Sequence, residues 1–155
     1  MDRVAIEELV YRSCLLLDDK KFIEYLALCD ENFRYSITAH SPEIRRDMTW
    51  LDHDKPGMHT LLTQLPRHNS DHSPLTRHAT VYTVEANAAA TEATVISALQ
   101  VFKTDLDGGI SMLFAVGRYT DTVVLNGATG GAPKLLKRVV KLDTRMLGIG
   151  YHIPF

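Results

Sequence analysis

The chain has 155 residues, 45% of them hydrophobic, which predicts one globular domain with a single core and excludes a disordered chain. The formal net charge is −2, from 17 basic and 19 acidic residues, so there is no broad basic surface for nucleic acid or membrane. No apolar run reaches the roughly 20 residues that span a bilayer, and the first turns lack an apolar signal core, so we expect a cytoplasmic protein.

The first third of the chain predicts two helices and a strand. Apolar residues recur at helical spacing over residues 4–17. Asp19 is placed to cap a second helix. The face of that helix is apolar: Phe22, Tyr25, Leu26 and Cys29. Residues 30–32 end it, and apolar and polar residues then alternate over 33–39, which predicts a strand.

Residues 40–75 contain four prolines and are predicted to be irregular. One short helix is expected from about Lys55 to Leu65, with Pro56 in its first turn and Pro66 ending it.

The second half predicts four strands joined by short turns, at 76–86, 91–106, 110–125 and 134–146. Strands in this order are expected to pair consecutively and antiparallel. Gly117, in mid-strand, predicts a bend or bulge. The fold class is therefore α+β, with the N-terminal helices packed on a strongly curved, mainly antiparallel sheet. A curved sheet closed by helices forms a cone. The interior of this cone is either a pocket or a filled core, and the sequence leaves both possibilities open.

Histidines are concentrated between positions 53 and 78, which raises the question of a metal site. A 2-His-1-carboxylate iron site would use His68, His72 and either Asp71 or Asp54. However, His68 and His72 lack the intervening glutamate of the helical zinc motif, and the Asn, Ser and Pro around them favour turns. We therefore predict no metal ligands here and interpret the stretch as a solvated or interface loop.

One constellation suits acid–base chemistry. Asp18, His78 and Tyr11 would line a pocket in the cone, with a histidine beside a carboxylate as general base. Tyr35 and Tyr119 are also expected to point into the cone. The alternative is a capping aspartate and a hydrogen-bonded strand histidine, with no catalytic residue. Two isolated thiols, Cys14 and Cys29, are predicted to be buried and reduced.

Five ordered segments resemble the β (small) subunits of Rieske-type ring-hydroxylating dioxygenases. YRSCLLLDDKKFIEYLALCDENFRYSI (11–37) is similar to the opening of that family, with its Leu-Asp helix end and its Arg-Tyr strand. TRHATVYTVE (76–85) is similar to its Arg-His strand start, and LLKRVVKLDTRML (135–147) to its final strand. Between them, the strands VISALQVFKTD and FAVGRYTDTVV match its strand pair with a central Gly-Arg.

The resemblance implies a single NTF2-like domain over residues 1–155, in a subunit that mainly gives structural support to a catalytic α subunit in aromatic-compound catabolism. It implies a β trimer within an α3β3 hexamer. No cofactor is expected in this chain; the α subunit would carry a Rieske [2Fe–2S] cluster and a mononuclear iron, and electrons would come from NAD(P)H through a reductase.

The segment over residues 40–65 departs from the aromatic-dioxygenase pattern and resembles small subunits of methanesulfonate-monooxygenase type. An aromatic acid, a hydrocarbon and a small sulfonate all stay open as substrates. Trp50 and residues 151–155 are expected to contact other subunits, because interfaces favour aromatics. Two other hypotheses remain: a stand-alone NTF2-like dehydratase, isomerase or cyclase with Asp18 or His78 as base, and a ligand-binding or scaffold module.

Overall fold

The computed structural model describes residues 1–68, 71–126, 130–144 and 154–155. It contains three helices and six strands: α1 (Arg3–Asp18), α2 (Phe22–Ala27), β1 (Cys29–Ser41), β2 (Arg46–Asp54), α3 (Lys55–His68), β3 (Leu75–Ala86), β4 (Glu92–Thr104), β5 (Ser111–Val124) and β6 (Lys134–Leu142). No helix in these ranges is both long and apolar enough to cross a bilayer.

The two N-terminal helices form largely where the apolar spacing predicts them. Asp2 caps α1, because its side chain accepts a hydrogen bond from the Ala5 backbone N–H at 3.1 Å. The prediction that Asp19 caps α2 is wrong. Asp19 is instead the C-terminal cap of α1, and the cap position of α2 is Lys21, which makes no side-chain capping bond. The left-handed backbone of Lys20, at φ 57°, turns the chain between the helices.

The six strands form one sheet in the order β2-β1-β6-β5-β4-β3. The predicted antiparallel pairing of β3, β4, β5 and β6 is confirmed. The first strand joins them through a parallel pair with β6, so the sheet is mainly antiparallel. Bulges interrupt the register at several points, and bulges bend and twist strands. α1 packs across β3 and α3 packs on β1, which makes the helices the closing wall of the cone.

The prediction of an irregular segment over 40–75 is wrong in its first part, because β2 forms there. This edge strand is mostly exposed and therefore lacks the apolar alternation that marks half-buried strands. Trp50 lies at a register shift between β1 and β2, where it is half-buried and packs against the core. Its expected contact with another subunit stays a prediction.

The helix expected from Lys55 is confirmed, but its predicted end at Pro66 is wrong. Pro66 lies inside the last turn, and α3 runs to His68. The helix begins where Asp54 Oδ1 accepts a hydrogen bond from the Gly57 backbone N–H at 2.9 Å. Sequence rules place helix ends near prolines, with an uncertainty of a few residues.

Of the two features predicted at Gly117, the bulge does not form, and the bend stays a prediction. No register shift falls at Gly117, where β5 pairs regularly with both neighbouring strands. A Cβ atom at this position would collide with the backbone oxygen of Lys141 on β6. The glycine therefore permits a close approach of two backbones.

The expected contact of residues 151–155 with other subunits is wrong for the last residue, because Phe155 is only 1% exposed and belongs to the core of this chain. Tyr151 and the two residues after it lie outside the described ranges.

Candidate functional site

The centre of the cone holds a buried ion pair. Arg138 on β6 pairs directly with Asp121 on β5, and both side chains are 0% exposed. Arg138 donates from Nε and Nη2 to the two carboxylate oxygens at 2.8 and 2.7 Å, and from Nη1 to Ser13 Oγ at 2.9 Å. Every nitrogen of the guanidinium therefore has a partner, which is the condition under which a charge is tolerated in a core.

Three tyrosines fill the space around this pair. The Arg138 Cζ atom lies 3.9 Å from the centroid of the Tyr119 ring, a cation–π contact. Tyr25, Tyr35 and Tyr119 are all fully buried, and burial raises the pKa of each hydroxyl. Tyr35 and Tyr119 thus point inward, as the strand alternation predicts. Among the described residues, buried side chains fill the centre of the cone.

Asp18, one of the three residues considered for acid–base chemistry, binds an arginine. Its Oδ1 accepts a hydrogen bond from Arg77 Nη1 at 2.6 Å, and both carboxylate oxygens accept from the Arg77 backbone N–H at 3.2 and 3.1 Å. Burial raises the pKa of Asp18, and the hydrogen bonds and charge of Arg77 oppose that rise. The carboxylate joins the end of α1 to the start of β3.

His78 lies on the other face of β3 from Arg77, because successive side chains of a strand alternate. It is exposed, and its ring centroid lies 5.1 Å from that of Phe102.

Tyr11 accepts a hydrogen bond from the Val81 backbone N–H at 3.4 Å. His78, Tyr11 and Asp18 border one open cleft of about 420 Å³, but no hydrogen bond in the described part of the chain joins His78 to a carboxylate. This geometry does not favour the acid–base hypothesis.

The residues considered as metal ligands do not form a common site: the two aspartates, Asp71 and Asp54, accept other hydrogen bonds. Asp71 accepts hydrogen bonds from the Ser73 N–H at 2.9 Å and from Lys103 Nζ at 3.3 Å, and the hydrogen bonds from Ser73 hold its pKa below the usual range. Asp54 caps α3, and His72 is exposed. The side chain of His68 lies outside the described part. Among the described residues, no group of three His, Cys, Asp or Glu side chains is arranged to hold a metal ion.

Both cysteines are free and buried, as predicted. Cys14 Sγ donates to Tyr119 Oη at 3.9 Å, and Cys29 Sγ donates to the Tyr25 backbone oxygen at 3.5 Å. Burial raises the pKa of Cys14, and it raises the pKa of Cys29 to about 12. Iron–sulfur clusters are held by thiolates. The described residues therefore do not fit a [2Fe–2S] cluster or a mononuclear iron centre.

Sequence reasoning missed both arginine–aspartate pairs, although the strands carry a signal for the buried one. Asp121 lies on the same face of β5 as the buried Tyr119 and Val123. Arg138 lies on the same face of β6 as the buried Val140. A charge at a core-facing strand position requires a buried partner. The identity of the partner becomes evident only when β5 and β6 are known to be neighbours.

Residues 12–148 match the family described as the ring-hydroxylating β subunit. The chain is 43% identical to the hydroxylase β subunit of methanesulfonate monooxygenase from Methylosulfonomonas methylovora, over 97% of this chain and 85% of that protein. It is 33% identical to the β subunit of 2-aminobenzenesulfonate 2,3-dioxygenase from an Alcaligenes species, over 99% of both chains.

The solved structures show the same fold. A chain assigned as the β subunit of an aromatic-ring-hydroxylating dioxygenase from Novosphingobium aromaticivorans superposes with a TM-score of 0.76 at 20% identity, covering 94% of this chain and 92% of that one. This neighbour confirms the NTF2-like α+β architecture. A β subunit works within a multi-subunit oxygenase, which implies an α-subunit partner. The chain therefore belongs to the family of ring-hydroxylating β subunits, the small subunits of multi-subunit oxygenases.

Proposed function

We propose that this chain gives structural support to the catalytic α subunit of a Rieske non-haem iron oxygenase, as part of an α3β3 hexamer built on a β trimer. The observation that carries the proposal is the match of residues 12–148 to the β-subunit family. The packing of the cone supports a structural role for the chain, because the buried side chains of Arg138 and Asp121 lie at its centre.

In this proposal the α subunit holds the Rieske [2Fe–2S] cluster and the mononuclear iron, and a reductase delivers electrons from NAD(P)H. The chemistry of the described donors supports the assignment of iron to another chain. Both thiols are buried and protonated, and Asp71 and Asp54 accept hydrogen bonds from their own loop and helix.

The described surface is suited to subunit contacts. The β4–β5 hairpin exposes four large apolar side chains within eight residues, each 46% to 67% exposed: Leu106, Ile110, Met112 and Leu113. Exposed apolar residues concentrated in this way are typical of protein interfaces. This feature supports assembly with other subunits.

We further propose an organosulfonate as the substrate of the assembled enzyme. Both curated relatives are named for a sulfonate, methanesulfonate in one and 2-aminobenzenesulfonate in the other. The relative at 43% identity is named for the aliphatic sulfonate and therefore favours a small substrate.

Co-expression with a Rieske-type α subunit encoded beside this chain tests the assembly. We expect one complex whose mass by light scattering equals three copies of each chain, with iron confined to the α subunit after the subunits are separated. Stoichiometric iron in the separated β chain, or failure of the two chains to co-purify, would contradict the proposal.

The substrate is tested on the reconstituted complex with its reductase. We expect NAD(P)H oxidation coupled to product formation with methanesulfonate or 2-aminobenzenesulfonate, and none with benzoate as the carboxylate control. Coupled turnover of benzoate alone would contradict the sulfonate assignment while leaving the subunit assignment intact.

A further inference from the structure

Residues Pro154 and Phe155 lie in a site that contains both polar and aromatic partners. Arg77 Nη2 donates to the Pro154 backbone oxygen at 2.6 Å. Tyr35 Oη accepts from the Phe155 N–H at 2.8 Å and donates to the Phe155 backbone oxygen at 3.1 Å. The Phe155 ring is buried, and its centroid lies 5.9 Å from that of Phe114. Two consecutive residues are thus bound by three hydrogen bonds and one aromatic contact.

The partners in this site are positioned by the sheet and do not depend on the two residues that occupy it. Tyr35, Arg77 and Phe114 come from three different strands, β1, β3 and β5. The Arg77 side chain is 1% exposed and is oriented by Asp18, which takes its Nη1. A guanidinium that is buried and oriented in advance binds an acceptor with little loss of side-chain freedom.

The arginine retains an unused donor beside the one that binds Pro154. Arg77 Nε is buried and has no hydrogen-bond partner among the described residues. Nε and Nη2 form one edge of a guanidinium, and that edge matches two oxygens of a single anion. Arg138 shows this pairing in the same protein, where its Nε and Nη2 bind the two oxygens of Asp121. The single carbonyl oxygen of Pro154 satisfies only half of the corresponding edge of Arg77.

We propose that Arg77, Tyr35 and Phe114 form a binding site for an aromatic ring that carries a carboxylate or sulfonate, and that Pro154 and Phe155 are the occupant supplied by the chain itself. The anion displaces the Pro154 carbonyl oxygen and takes the Nε and Nη2 edge of Arg77, and the ring takes the place of the Phe155 side chain. This site is separate from the support of the α subunit and stands whether or not that proposal holds.

The test removes the ring of the occupant. In Phe155→Ala the vacated space is lined by aromatic and apolar groups, and apolar cavities of ring size bind benzene-like molecules. Titration calorimetry with benzenesulfonate should detect binding to Phe155→Ala and at least about tenfold weaker binding to the unchanged protein, where Phe155 competes (about 1.4 kcal/mol). Toluene, the neutral probe, should bind Phe155→Ala more weakly than benzenesulfonate does.

Two further variants assign the recognition to named groups. Arg77→Met in the Phe155→Ala background should abolish the preference for benzenesulfonate over toluene and leave toluene binding in place. Arg118→Met in the same background is the matched control, because Arg118 is an exposed arginine of β5, and it should change neither affinity.

The outcomes separate clearly. Folded Phe155→Ala that binds neither probe overturns the site, and equal affinity for the two probes overturns the anion recognition. Benzenesulfonate binding that survives Arg77→Met places the anion elsewhere and also overturns the proposal. If Phe155→Ala fails to fold by circular dichroism, Phe155→Leu retains part of the packing, and the same ranking of probes is required of it.

Discussion

Arg138 and Asp121 carry the only charges that the described core buries completely, and each depends on the other. The arginine also contacts Ser13 of α1 and the ring of Tyr119 of β5, so one side chain ties the helix layer to two strands. Asp18 and Arg77 make a second such link at the edge of the sheet, between α1 and β3. Asp18, which the sequence left open as an acid–base residue, is the acidic partner in the second link.

Breaking the central pair should be costly. Asp121→Leu or Arg138→Met alone is expected to lower the free energy of unfolding by about 3–5 kcal/mol, because each leaves the other charge buried without a partner. The double variant should lose less than the sum of the two, since no unpaired charge remains. Urea denaturation of all four proteins measures this coupling.

The control for this cycle is an exposed pair on α1. Arg12 and Glu8 lie 3.3 Å apart, with side chains 59% and 65% exposed. Arg12→Ala should change stability by less than about 1 kcal/mol. Additive losses at Arg138 and Asp121, or an equal loss at Arg12, would refute the role given to the central pair.

The buried thiol of Cys29 should be inert in the folded protein. Its pKa is raised to about 12 by burial, so almost no thiolate is present at pH 8. Iodoacetamide at pH 8 is expected to label the Cys14→Ala variant only after urea is added, as measured by mass spectrometry. Fast labelling of Cys29 under native conditions would show that its burial is wrong.

At the scale of the elements, the strands differ in how well their pattern predicts them. β4 and β5 alternate buried and exposed residues along most of their length and were predicted. β2 is an edge strand with no fully buried residue, and it was missed. Alternation reports which face of a strand is buried, so a strand without a buried face gives no such signal.

Gly117 provides an element-scale prediction. Gly117→Ala is expected to lower the free energy of unfolding by about 1–3 kcal/mol, because the added Cβ collides with the Lys141 backbone of the adjacent strand. Gly108→Ala is the matched control: nothing lies within 4 Å of its Cβ position and its φ is not positive. Thermal unfolding followed by circular dichroism compares the two. Equal melting temperatures would exclude a close-approach role for Gly117.

At the scale of the whole molecule, the interior buries thiols and hydroxyls that stay protonated at alkaline pH values where the unfolded chain would ionise them. Burial raises the pKa of five of them: Cys14, Cys29, Tyr25, Tyr35 and Tyr119. In the unfolded chain the thiols and hydroxyls return to their ordinary values, near 9.0 and 10.0. Above those values the folded state binds more protons than the unfolded state, so alkali favours unfolding.

The free energy of unfolding should therefore fall as the pH rises above about 9. Each fully protonated buried group contributes about 1.4 kcal/mol per pH unit once its unfolded counterpart is ionised. Urea denaturation at a series of pH values from 8 to 10.5 measures the slope. The variant with both Cys14→Ala and Cys29→Ala should show a shallower slope between pH 9 and 10, and an unchanged slope would remove the thiols from this account.

The sequence by itself determined the class of fold, the helix α1, the long strands of the second half and, through its ordered motifs, the family. These features rest on local periodicity and on short patterns, which are readable without knowing what lies beside them. The substrate and the subunit contacts depend on partner groups outside the chain, and the sequence left both open.

Only the tertiary structure decided which residues meet. Asp121 and Arg138 are 17 positions apart, Asp18 and Arg77 are 59 apart, and Tyr35 and Phe155 are 120 apart. The structure shows that Asp18, a candidate base from the sequence, is the partner of an arginine. It also shows that Phe155, an expected subunit contact, is a core residue. Local pattern reports which face of an element is buried, whereas the pairing of buried groups depends on how distant segments pack, and that packing filled the cone.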